Sequence, residues 1–160
     1  MERYYRSVRI DEKLEKEKED IKKSIEKAVA FIESIYDIEI GNKVMFQFVS
    51  RIQGSYFHPN KHHSIAFGMF GYSQPTVICA RPRGRIGKWW TYKRKTIGAM
   101  ARGIKVSWNL HRTLILVHEL THYVQMVEKR KYSEIETTLN EIRYVEKYHP
   151  SVAAKLSVIK

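Results

Sequence analysis

The sequence predicts an α+β fold in one domain, on three observations. Apolar residues recur at three-and-four spacing in separate stretches near residues 21–35, 110–127 and 135–145, the mark of amphipathic helices. Between the first and second stretches, short runs alternate apolar and polar residues and are bounded by Gly, Pro or Asn, as strands are. The chain has 160 residues, 43% hydrophobic and 29% charged, enough for a single core and too few for two.

Composition narrows the function classes. No stretch approaches the roughly 18 apolar residues of a membrane-spanning helix, and the opening residues lack an apolar signal core, so a soluble, cytoplasmic protein with no membrane partner is expected. Cys79 is the only cysteine, which excludes an internal disulfide and a Cys-rich zinc finger. Any metal site must be built from His and carboxylates. The net charge of +12 is concentrated in the middle: no Asp or Glu lies between Glu39 and Glu119, where 13 Lys and Arg fall, nine of them from Arg81 to Lys105. Such a stretch attracts phosphate backbones or acidic proteins, and equally serves as a solvated surface.

Within residues 1–40, Ile21, Ile25, Ala28, Val29, Ile32 and Ile35 line one face of an N-terminal amphipathic helix. Its early turns, Lys13 to Lys23, are too charged for a core, so the helix is expected to project at its start and dock at its end. Asp37 to Gly41 break the pattern. The basic region 41–108 then reads as β-rich, with strands at Val44–Phe48, Ile65–Met69 and Thr76–Cys79. The loop between the first two holds His58, His62 and His63, a set with no carboxylate beside it and more in keeping with polar surface than with a second metal site. In Arg81–Lys95, Trp89, Trp90 and Tyr92 interleave with cations, which suits nucleic-acid stacking or a hairpin with inward aromatics. Ile104, Val106 and Trp108 suggest a last strand, followed by Asn109 as a helix N-cap.

The helix expected over 109–128 carries His118-Glu-Leu-Thr-His122. Histidines four apart project from one helix face and can reach one ion. Glu119 is then placed to act as general base, taking a proton from zinc-activated water during attack on a carbonyl. A catalytic zinc wants a third protein ligand. After a basic turn at Lys129–Lys131, Ser133 and Glu136 form a capping box and open a second helix. Two helices joined by so short a turn run antiparallel, and counting outward from Lys131 brings positions 140–144 opposite the histidines, where Glu141 fits best. His111 is too early in the helix to join the pair.

HELTH, followed by 18 residues and then Glu141, which Asn140 precedes, resembles the gluzincin zinc metallopeptidases, and the small size resembles the minigluzincins; thermolysin-like and M1 aminopeptidase cores are more distant likenesses. The resemblance covers about residues 109–148. It implies a zincin-like core, with a small mixed sheet packed on an active-site helix and a glutamate helix, and zinc held by His118, His122 and Glu141. The downstream Glu-x-Glu is also similar to that of other small HExxH families, which would make Glu136 the ligand instead. Glu141 lacks the following Asp that braces a zinc histidine in thermolysin-like enzymes. Tyr144, Tyr148 and His149 are candidates to stabilise an oxyanion. The likeness further implies a peptide or protein substrate bound along a strand edge, for which Ile104–Trp108 is a candidate, and a C-terminal tail, 149–160, that either packs as scaffold or covers the cleft. SprT-like proteases combine HExxH chemistry with DNA, so nucleic acid at the basic 81–105 segment is the alternative partner. A closed structural zinc site is a third reading, for which a fourth ligand is hard to find.

Overall fold

The computed structural model describes residues 8–50, 68–71, 75–81, 85–88 and 99–159. After strand β1 (Val8–Ile10) and a 3-10 turn over Glu12–Glu17 comes helix α1 (Lys18–Tyr36). Strands β2 (Met45–Val49), β3 (Gly68–Gly71), β4 (Thr76–Ala80), β5 (Arg85–Lys88) and β6 (Ala99–Lys105) follow. Helices α2 (Trp108–Val127), α3 (Glu134–Tyr148) and α4 (Pro150–Ile159) complete the chain. The fold is α+β, and no helix among the described residues is long and apolar enough to cross a membrane.

Four strands form one sheet in the order β1-β2-β4-β3. β1, β2 and β4 are parallel, with Val8 opposite Phe46 and Phe46 opposite Val77, whereas β3 closes the edge antiparallel, Gly68 opposite Cys79. The period-two pattern puts Phe46, Phe48, Val77 and Cys79 on the buried face. Against it lie Ile21, Ile25, Val29 and Ile32 of α1 and Leu114, Val117, Leu120 and Val124 of α2, in one core. The start of α1 is docked too: Leu14 and Ile21 are buried, so only the charged side of this segment faces solvent. α1 ends where Asp37 takes a left-handed conformation, φ 51°.

β6 pairs with β5 in a separate two-stranded ribbon, so Ile104 belongs to that ribbon and Val106 to Trp108 do not extend the strand. The helix cap also falls earlier than expected. Ser107, with extended backbone, accepts from Leu110 N at 3.1 Å, while Asn109 lies inside the helix and accepts from Arg112 Nη1 at 2.7 Å. α2 is buried almost all round, flanked by α1, α3 and the sheet. The C-terminal segment is α4, which packs on α3 through Val152 and Ala153.

Candidate metal centre

The second half of α2 and the first half of α3 face each other across a six-residue turn, 128–133. Ser133 caps α3 by accepting from Glu136 N at 3.2 Å. The reciprocal half of the expected capping box is made differently. Gln125 reaches over from α2, and its Oε1 accepts from Ser133 N at 3.3 Å while its Nε2 donates to Ser133 O at 3.0 Å. One side chain thus ties the end of α2 to the start of α3.

His118, Glu119 and His122 each bring a ligand atom within 4.8 Å of the others. His122 is 3% exposed, and Glu119 is buried with its Oε2 3.8 Å from His118 Nε2. From α3, Glu134 spans both rings: its Oε2 lies 3.1 Å from His118 Nε2 and its Oε1 3.0 Å from His122 Nε2. The opposite ring nitrogens are held elsewhere. His118 Nδ1 meets Glu141 Oε2 and His122 Nδ1 meets Gln125 Oε1, each at 2.9 Å. Tyr132 stacks on His122, with ring centroids 4.3 Å apart and planes 6° apart, and its hydroxyl donates to Glu134 Oε1. The centre opens to solvent on the side of the turn, where Glu134 is 34% and Tyr132 51% exposed.

Electrostatics follow from this crowding. Burial by itself would lower the His118 imidazole, but Glu119, Glu134 and Glu141 outweigh it and hold the ring well above its ordinary value. Burial raises the Glu119 and Glu141 carboxyls, partly offset by the histidines. Glu134 goes the other way: burial would raise its carboxyl, but the His118 and His122 imidazoles facing its two oxygens outweigh this and hold it far below the usual carboxylate range.

The donor set fits a divalent cation. Gln125 is oriented by two backbone groups, one that only donates and one that only accepts, so its Oε1 must receive a proton from His122 Nδ1. With a proton on Nδ1, the other ring nitrogen of His122, Nε2, is turned to a carboxylate oxygen that only accepts. At 3.0 Å that pair is joined either by a proton or by a cation. Imidazole nitrogens and a carboxylate are ligands that zinc takes.

The structure brings together four of the five residues expected here or their neighbours in role: His118, Glu119 and His122 converge, and Glu141 reaches His118 from the far side of the ring. Glu136 does not join them; it is engaged by Arg130, Gln125 and Tyr36. Tyr144, Tyr148 and His149 cluster at the other end of α3, where both tyrosines pack on Phe31. His111 is buried a full seven residues before the pair, its imidazole pushed down to about 4 by burial. His58, His62, His63, Trp89, Trp90 and Tyr92 lie outside the described residues. Sequence reasoning missed Glu134, Gln125 and Tyr132. The signal for Glu134 is the helix start itself, because side chains of a first turn tilt back towards the helix N-terminus and so over the preceding turn.

Apart from this centre, a cleft of about 470 Å³ opens at the start of α2, with Lys13, Lys16, Glu17 and Arg81 among its walls. The Arg81 guanidinium lies 3.7 Å from the ring centroid of Trp108, which is 43% exposed. Compared with known protein families, with curated proteins and with solved structures, the chain matches none.

Proposed function

We propose that this chain is a cytoplasmic zinc metallopeptidase with a zincin-like core. The observation that carries the reading is the gathering of His118, Glu119 and His122 within 4.8 Å on one buried helix, with both Nε2 atoms turned towards the same carboxylate. His118, His122 and a carboxylate of α3 would hold the zinc, whose chemistry when bound is to polarise a carbonyl and acidify water. Glu119 is the general base: it takes the proton of the attacking water and passes it to the leaving amine. Its burial, which raises the carboxyl, moves it towards the basicity that this task needs. β3, the antiparallel edge strand among the described residues, lies along α2 and would take an extended peptide as a further strand.

The test is a pair of variants assayed on an unfolded protein substrate and on a mixed fluorogenic peptide library. Glu119→Ala should retain zinc and lose cleavage by at least about 100-fold, whereas His118→Ala should lose both. Undiminished cleavage by Glu119→Ala, or a wild type that takes up no metal when zinc is offered, would reject the reading.

A second reading, nucleic-acid binding, is favoured by the Arg81–Trp108 stack beside Lys13 and Lys16. It requires single-stranded DNA binding that weakens steeply with salt and survives Glu119→Ala.

A further inference from the structure

We propose that Glu134, and not the Glu141 that the gluzincin likeness implies, supplies the third metal ligand, and that Glu141 and Gln125 are positioning residues. The proposal rests on the zinc reading above. Each imidazole can turn only one nitrogen towards a shared ion, so the question is which side of each ring the ion side is. For His122 the answer follows from Gln125, whose fixed amide consumes Nδ1 and leaves Nε2. For His118, Nε2 is the nitrogen nearest both Glu119 and Glu134, at 3.8 and 3.1 Å. The ion side is therefore the Nε2 side of both rings.

Glu134 is the carboxylate on that side. Its Oε2 lies 3.1 Å from His118 Nε2 and its Oε1 3.0 Å from His122 Nε2, so this one carboxylate faces the ligating nitrogen of both rings. Glu141 lies at Nδ1 of His118, across the ring from the Nε2 side. An acceptor there fixes the ring's rotation and tautomer and increases the basicity of the ligating nitrogen, the part that a carboxylate plays behind a metal-bound histidine. Gln125 does the same for His122. The brace that the sequence lacks after Glu141 is thus Glu141 itself. Tyr132 supports the arrangement by stacking on His122 and donating to Glu134.

The experiment uses the full chain as wild type, Glu134→Gln and Glu141→Gln, loaded with cobalt for its visible absorption spectrum and titrated with zinc against a chromophoric chelator. Glu134→Gln should change the cobalt spectrum and weaken zinc by more than about 100-fold, whereas Glu141→Gln should keep the wild-type spectrum and weaken zinc by about 10- to 100-fold. Wild-type cobalt absorption in Glu134→Gln, or its loss in Glu141→Gln, overturns the assignment while leaving the zinc reading intact. A wild type that binds neither metal overturns both. Circular dichroism of the metal-free proteins checks folding, and if Glu134→Gln is unfolded, Glu134→Asp replaces it: the shorter carboxylate must shift the cobalt spectrum, and an unchanged spectrum counts against the proposal.

Discussion

Glu136 receives two hydrogen bonds from Arg130, both at 2.8 Å, one from Gln125 at 2.9 Å and one from the Tyr36 hydroxyl. Burial would raise its carboxyl, but Arg130, Tyr36 and Gln125 prevail and hold it down at about 2. A carboxyl depressed in the folded state stabilises the fold above its unfolded value, near 4.5, and that contribution disappears as pH falls towards 2. Because Arg130 is 39% exposed, the stabilisation is discounted to about 1–2 kcal/mol. Glu136→Gln should accordingly be less stable than wild type at pH 7 by about that amount, with the difference closing by pH 2–3. Urea denaturation at a series of pH values measures it; a gap that stays constant with pH would show that Glu136 acts through shape and not charge. The same residue explains why Gln125 stays oriented, since its Nε2 donates to Glu136 Oε1 as well as to the Ser133 carbonyl.

Helix caps decide where α2 begins and how far it carries its histidines. Ser107 satisfies the Leu110 amide, so Ser107→Ala should cost about 1 kcal/mol and lower Tm by about 2–4 °C. Thermal denaturation reads this directly, and an unchanged Tm would mean that water replaces the cap without cost. The cap also marks the boundary of what the sequence makes legible. Ser107 and Asn109 are both good N-caps, and only the extended backbone at Ser107 selects between them. The three long helices and strands β2 and β4 declare themselves by periodicity, because one face of each is buried in the core. β1 does not: three residues in a charged opening segment gain their place only by parallel pairing with β2, a partner some 38 positions away by the Val8–Phe46 register. At the site, His118, Glu119 and His122 are legible because their spacing alone puts them on one helix turn. Counting outward from the turn finds Glu141 opposite His118, yet it assumes that side chains project level with their Cα atoms. Glu134 escapes that count because its side chain leans back over the turn.

At the level of the whole molecule, the centre concentrates charge between two packed helices. Glu119, Glu134 and Glu141 bring three carboxylates to two imidazoles at the junction of α2 and α3, the two helices that also carry much of the core. A divalent ion bound there interacts only with the folded chain, since His118, His122 and Glu134 are spread over 17 residues and the unfolded chain does not gather them. Binding is therefore linked to stability. Zinc at 100 times its dissociation constant contributes about 2.7 kcal/mol, which for a domain of this size raises Tm by roughly 5–10 °C. The rise should be reversed by a chelator, be retained in Glu119→Ala, which keeps the ligands, and be lost in His122→Ala. The charged cleft at the far end of α2, where Arg81 pairs with Glu17, makes a separate, electrostatic contribution that depends on salt and not on zinc, so repeating the melts at two salt concentrations separates the two effects. Equal Tm values with zinc and with chelator would leave the His118–His122 cluster as a proton-linked junction between helices, and the metallopeptidase reading would go with it.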